Sequence, residues 1–358
     1  MTLHVFNPEH EIALAFDAKN ITLPHAIQEL KMNLGFIPAL WADDGDYVLV
    51  DDAAFAIKAT KSAGCHMSNV HFIEADDLSK YYFSEISPWG WDKCLCSKLS
   101  AAGCANALPS DCKLQTLRML SSRIQTAKIL PFLRNGLEQS TCGIAHYAES
   151  SEEVTDLAKY YGNIVIKSLW SSSGRGVKYI SSSGTKESII GWISNAISRQ
   201  GGVMVEPYYN KVKDFAMEFY SHDDGHIDYC GLSLFETQKG NYSGNLIASE
   251  ERKLSILSKY IPSNLLAEIR RRIVDYLFPL YEGVYHGPFG VDMMIVADGS
   301  NGFLLDPCVE INMRRTMGHV ANSVKHTDAE PDMIMRIVHD VNYKLRFSPT
   351  QNCFVKVF

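Results

Sequence analysis

Two stretches constrain this chain more than any other feature: Val309-Glu310-Ile311-Asn312-Met313-Arg314, and the apolar run Phe289-Gly290-Val291-Asp292-Met293-Met294-Ile295-Val296 with a single acid inside it. Both have the texture of strands, in which residues i, i+2 and i+4 share a face. Glu310, Asn312 and Arg314 then line one side of their strand with carboxylate oxygens, an amide oxygen and a guanidinium. Asp292 can be buried in its apolar run only if it is paired or coordinates a metal ion. Two readings follow. One is a structural ion pair between Arg314 and Glu310 or Asp292. The other is an oxygen set of the kind Mg2+ accepts when it also holds nucleotide phosphates.

A chain of 358 residues has room for two or three domains with substantial cores. Its 46% hydrophobic and 21% charged content is that of an ordinary soluble globular protein. A net charge of −7 and a pI near 5.9 leave no basic footprint for nucleic acid. A polyanion such as ATP would therefore need local cations and metal ions. No run approaches the ~18 uninterrupted apolar residues of a membrane helix. The opening Met1–Phe6 enters a strand-like segment without a charged leader. Nine cysteines without a Cys-x-x-Cys pair read as reduced thiols, so a cytoplasmic location is expected, with no membrane partner.

The first ~110 residues alternate short strands (Leu3–Phe6, Tyr47–Val50, Val70–Ile73) with helices (Ala26–Asn33, Ala53–Ala63), the pattern of an open α/β layer. Trp89-Gly90-Trp91-Asp92 opens a helix that runs through Ala102. One-face periodicity then predicts a second helical block from Leu114 to Leu133. From about Gly162 the texture is hairpin-like: Asn163–Lys167, Val177–Ile180, Val203–Glu206 and Asp214–Tyr220, interrupted by a helix over Lys186–Ser198. The last third carries strands Ile227–Phe235, Phe289–Val296 and Phe303–Asn312 and helices Asn264–Tyr281 and Asp332–Leu345. Pro307, three residues before Glu310, removes a ladder donor and predicts an edge strand or a bulge. Asp306 beside it is either an exposed acid or an extra metal contact.

Lys167 ends an apolar strand and precedes Ser171-Ser172-Ser173-Gly174-Arg175-Gly176, a polar glycine loop leading into a second strand. Successive backbone N–H groups of such a loop can form an anion-binding concavity, and the lysine could reach the same anion. Standing alone, it could equally be a surface hairpin. It is not a P-loop, since it lacks Gly-Lys-Ser/Thr and leads into a strand. Nor does a protein-kinase motif set accompany it. An apolar strand ending in Glu206-Pro207-Tyr208-Tyr209 follows, then Asp214, then Asp292 and Glu310-x-Asn312-x-Arg314. This order, spanning about residues 115–320, resembles the ATP-grasp superfamily.

The resemblance implies an N-terminal open α/β domain (1–112, preATP-grasp-like) followed by a two-lobed ATP-grasp fold, with a first lobe at 113–225 and a second at 226–358. It implies ATP bound between the lobes: Lys167 on the α-phosphate and adenine side, Ser172, Ser173, Gly174 and Gly176 in the loop over the β- and γ-phosphates, Glu206 and Tyr208 at the adenine edge, Asp214 on the ribose. Asp292, Glu310 and Asn312 match ligands of two Mg2+ ions, for which Mn2+ could substitute. Arg314 is assigned to the γ-phosphate or the acyl-phosphate oxyanion. Arg123 stands where many members carry a phosphate-binding lysine, and Lys239 is either a further phosphate contact or a solvated loop lysine. Gly290 departs from members with an arginine at that position, which leaves its work to Arg314 or Arg315 or implies a different substrate geometry. The implied activity is an ADP-forming carboxylate–amine (or carboxylate–thiol) ligase acting on small-molecule substrates. A small-molecule kinase or a nucleotide-binding regulator are the alternatives, and a homodimer is the expected assembly on general grounds.

Asn7-Pro8-Glu9-His10-Glu11 reads as a helix start, with Asn7 as N-cap and Pro8 at N1. It is also a loop at the carboxyl end of the first strand, where open α/β sheets bind ligands. Trp89 and Trp91 read as either a substrate platform or a domain junction. No general base is identifiable, and His319 is the histidine that merits a test.

Overall fold

A computed structural model describes residues 1–171, 176–181, 187–238, 241–300, 302–327 and 330–350. The first unit is built from β1 (Thr2–Val5), α1 (His10–Phe16), α2 (His25–Leu34), β2 (Tyr47–Leu49), α3 (Ala53–Ser62), β3 (His71–Ile73), β4 (Glu85–Pro88) and α4 (Lys93–Ala101). Its strands form a parallel sheet in the order β3-β2-β1-β4. The chain winds outward from β1 through β2 to β3, then returns to the other side of β1. The reversal opens a crevice at the carboxyl ends of β1 and β4, the place where such sheets bind ligands.

Helices α5 (Asp111–Leu120) and α6 (Ile124–Arg134) follow. The single block expected over Leu114–Leu133 is broken at Ser121–Arg123. Here the Arg123 amide leaves the helical ladder to bond the carbonyl of Leu169, 3.2 Å away. The break turns the Arg123 side chain inward.

The second unit holds β5 (His146–Ala148), α7 (Ser151–Tyr161), β6 (Ile164–Ser168), β7 (Val177–Ile180), α8 (Glu187–Gln200) and β8 (Val203–Pro207), with its antiparallel sheet ordered β5-β8-β6-β7. Residues Ser172, Ser173 and Gly174, expected at the phosphates, lie outside the described residues, as does Lys239.

The third unit is a seven-stranded antiparallel sheet. Its elements are β9 (Lys211–Ser221), β10 (Ile227–Gln238), β11 (Asn241–Ile247), α9 (Glu250–Leu257), α10 (Ser263–Tyr281), β12 (Gly287–Ala297), β13 (Phe303–Asn312), α11 (Met317–Ser323), β14 (Met333–His339) and β15 (Tyr343–Pro349), in the strand order β13-β12-β9-β10-β11-β14-β15. A lobe boundary at residue 225 would cut the β9–β10 hairpin. The chain passes from the small antiparallel sheet to the large one between β8 and β9, since β9 pairs along its length with β12 and β10.

Period-2 alternation assigns the faces of this large sheet. Phe215, Met217 and Phe219 of β9, and Phe289, Val291, Met293 and Ile295 of β12, turn to one side. There they meet the apolar stripe of α10, Leu266, Ile269, Ile273 and Leu277, spaced three and four apart, with Leu265 beside it. Each such buried side chain contributes about 1.5–3 kcal/mol. The alternate residues, among them Asp214, Glu218 and Asp292, face a cleft.

Residues 332–345, expected to be helical, form the β14–β15 hairpin, with His339 opposite Tyr343 across the turn Asp340–Asn342. The largely apolar, β-branched run Ile334-Met335-Arg336-Ile337-Val338 suits a strand, and β11 supplies an open edge for β14 to pair. Met335 and Leu345 are thereby buried in a core shared with Leu34, Phe36 and Val48 of the first unit. Asn7 is not the N-cap of α1. That position is Glu9, without a side-chain cap, because the Asn7 amide is committed to the Gly90 carbonyl (2.9 Å) and Asp92 (3.1 Å). All eight cysteines among the described residues are free thiols. No helix among those residues is long and apolar enough to cross a membrane.

Candidate active site

The three units enclose a cleft of ≈ 1310 Å³. Its floor is the polar face of the seven-stranded sheet. Asp292 stands directly opposite Glu310 across β12 and β13, and Gly290 stands opposite Asn312 on one side and Glu218 of β9 on the other. Four oxygen-bearing side chains, Asp292, Glu310, Asn312 and Glu218, therefore share one face. Glu218 was not foreseen from the sequence. Its signal is the acid within Asp214-Phe215-Ala216-Met217-Glu218, in phase with Asp214. Gly290 makes room for it, since a Cβ at 290 would sit 2.5 Å from Glu218 Oε2. The β12–β13 register slips between Asp292 and Met294, opposite the segment containing Pro307, so the expected bulge is present on an outermost strand of the sheet. Asp306 is neither exposed nor in the cleft. It is 3% exposed, and burial, reinforced by the Glu206 charge, pushes its carboxyl up to about 7.

The cations arrive from elsewhere in the chain. Arg123, buried, donates from Nη1 to Ser168 O (2.7 Å) and Ser171 Oγ (2.8 Å), and from Nη2 to Glu310 Oε1 (2.7 Å). Lys167 Nζ lies 2.6 Å from Glu206 Oε2 and 3.3 Å from the Val309 carbonyl, which joins the smaller sheet to β13. Arg314 pairs with Glu11 rather than with Glu310 or Asp292: Nε donates to Glu11 Oε1 at 2.8 Å, and Nη2 also bonds Asn312 Oδ1 at 3.0 Å. Arg315 does not line the cleft. Its guanidinium lies 4.3 Å over the Trp41 ring. Asp214 holds Lys211 (2.5 Å) and the Thr237 hydroxyl (3.1 Å). Tyr208 lines the cleft edge-on to Tyr179, beside Val165, Val177, Ile180, Phe235 and Met294.

The first unit closes the far end. His10 Nδ1 lies 3.0 Å from Asp92 Oδ2, with both side chains buried. Asp92 Oδ1 accepts the Leu95 amide at 2.8 Å and so caps α4. The imidazole lies against the bare Cα of Gly90, where a Cβ would fall 2.5 Å from the ring. His10 lines both the large cleft and a smaller hollow bounded by Glu11, Arg123, Glu310, Asn312 and Arg314. Glu9 of the same segment points away, toward Lys31 and Lys98. His319, singled out from the sequence, is instead the N3 residue of a capping box with Thr316 at the start of α11.

Among the described residues no group of three or more His, Cys, Asp or Glu side chains is placed to hold a metal ion by itself, so a cation here would share Asp292 and Glu310 with the Asn312 amide oxygen and the ligand's own oxygens. Burial, with the charges of Glu310 and Glu218 close by, raises the Asp292 carboxyl well above the ordinary range. A bound cation relieves that crowding.

Neither a family model nor a curated protein sequence matches the chain. Solved structures do. Biotin carboxylase from Campylobacter jejuni, in its β,γ-ATP complex, is similar over 94% of this chain and 75% of that one, at 13% identity and a TM-score of 0.51. The N5-carboxyaminoimidazole synthetase of Staphylococcus aureus, complexed with ADP, is similar over 94% and 82%, at 12% identity and a TM-score of 0.49. The chain has the ATP-grasp fold. Within this fold β6 and β7 belong to the small antiparallel sheet, β12 and β13 to the large one, and the parallel sheet precedes both along the chain.

Proposed function

We propose that this protein is an ATP- and Mg2+-dependent ligase that activates a small carboxylic acid as an acyl phosphate for attack by an amine. The observation that carries the reading is the convergence, in one cleft, of Asp292, Glu310 and Asn312 with Arg123, Lys167 and Arg314. Asp292, Glu310 and Asn312 would hold the metal, with Glu218 beside them. When bound, Mg2+ neutralises charge on the phosphoryl oxygens. Lys167 and Arg123 are proposed to hold the phosphates, Glu206 and Tyr208 the adenine edge, and Asp214 the ribose. Arg314 would steady the carboxylate oxygens as the phosphoryl group arrives. Charge neutralisation and positioning are the main requirements of such a transfer.

The second half-reaction needs a proton acceptor. With its Nδ1–H donating to Asp92, His10 presents Nε2 as the basic atom, close to Arg314 and Glu310. We assign it the proton of the attacking amine, as the C–N bond forms and phosphate leaves.

The test is product analysis with Mg-ATP, a pool of carboxylic acids and hydroxylamine. Hydroxamate with ADP and free phosphate is expected. ADP without free phosphate, its phosphoryl group stable on a pool member, would make the protein a kinase instead.

A further inference from the structure

Four cations line the cleft among the described residues: Arg123, Lys167, Lys211 and Arg314. Three are engaged on the nucleotide side, at Glu310 and Ser171, at Glu206, and at Asp214. Beyond them, toward the parallel sheet, Arg314 is the one remaining. His10, Glu11 and Thr316 stand near it, and the rest of the wall there is apolar. Phe6 stands edge-on to Trp89 at 5.1 Å, and the Arg315 amide bonds the Trp89 carbonyl at 2.8 Å, which brings Arg314 and Met317 beside that pair. Ile27 and Leu30 of α2 and Ile337 of β14 complete the wall. Phe6 and Trp89 are buried in the core shared by the first unit and the β14–β15 hairpin, while Leu30, Met317 and Ile337 are only partly covered by it. Their remaining apolar surface faces the cleft.

Resting on the ligase reading above, we propose that this compartment receives a monocarboxylic acid with an apolar body, its carboxylate directed to Arg314. A phosphorylated or polycarboxylate substrate would need several cations, and among the described residues the compartment offers one, already shared with Glu11. An apolar acid needs only that one polar anchor, with the rest of its affinity coming from area removed from water. Met317, unbranched and polarizable, suits a wall that must fit such a body closely.

Calorimetric titration of the full chain with Mg2+ and a non-hydrolysable ATP analogue tests this directly, using octanoate, 3-phenylpropanoate, succinate and 3-phosphoglycerate as probes. Octanoate or phenylpropanoate is expected to bind at least about tenfold tighter than the other two. In Leu30→Glu and, separately, Met317→Glu, binding of that acid is expected to fall by a similar factor or more. Affinity for the ATP analogue should not change. Tighter binding of succinate or phosphoglycerate, no binding of any probe, or octanoate binding unaffected by both substitutions would overturn the proposal. The ligase reading fails separately: an acid that binds here yet yields no ADP leaves the compartment standing and removes the chemistry. A hydroxamate formed only from succinate does the reverse.

Discussion

The imidazole of His10 is held by Asp92, Nδ1 to Oδ2 at 3.0 Å, across the two loops that leave β1 and β4 at the point where the parallel sheet reverses its strand order. A carboxylate on Nδ1 fixes the tautomer, and Gly90 fixes where the ring lies. His10→Gln is therefore expected to lower the rate of ligation to an ordinary amine by about 10²–10⁴. Hydroxylamine, a weakly basic nucleophile that needs little help losing a proton, should largely escape the loss. Equal loss with both nucleophiles would show that His10 only shapes the pocket.

Asp292 and Glu310 face each other directly across two strands, beside Glu218. Glu310→Ala is expected to abolish ADP formation while leaving adenosine binding weakened but measurable. Chelation by EDTA should give the same phenotype in the unaltered protein, reversed by Mg2+. Turnover that survives both treatments would remove the metal assignment.

Arg123 serves three acceptors from a buried position, and one of them is a carboxylate. Arg123→Met leaves Glu310 and the Ser168 carbonyl without their donor. It should cost about 3–5 kcal/mol, read as a lower urea midpoint. Arg123→Lys keeps the charge but not the fork, and should recover only part of that loss.

Asp306 gives a pH signature. Its folded carboxyl titrates near 7, against 3.8 for the unperturbed group. Between these values the folded chain holds a proton that the unfolded chain has released, so this residue makes stability fall as pH rises from about 4 to 7. The full effect above that window is at most about 4 kcal/mol. Asp306→Asn keeps the shape and an oxygen for the Cys308 amide, 3.3 Å away. It should raise the urea midpoint at pH 8 and change it little at pH 4. Equal effects at both pH values would mean that the carboxyl ionises normally.

What was legible in the sequence is what repeats locally. A two-residue period assigned Glu310 and Asn312 to one face, and a lone acid in an apolar strand marked Asp292. Proline 307 announced the slipped register. The order of these motifs along the chain pointed to the ATP-grasp fold. Local reading failed over residues 332–345, where a β-edge supplied by β11 and a core supplied by the first unit decided strand over helix. It also failed for Asn7, whose amide found a better partner 83 residues away than its own helix.

Tertiary structure alone decided the pairings. Arg123 and Glu310 are 187 residues apart, Arg314 and Glu11 303, and His10 and Asp92 82. A charge announces by itself that it must be neutralised if buried, so the sequence determined that these residues needed partners. Which partner each one takes depends on how strands from distant parts of the chain are laid side by side. That is a matter of sheet order and register, and no local pattern encodes it.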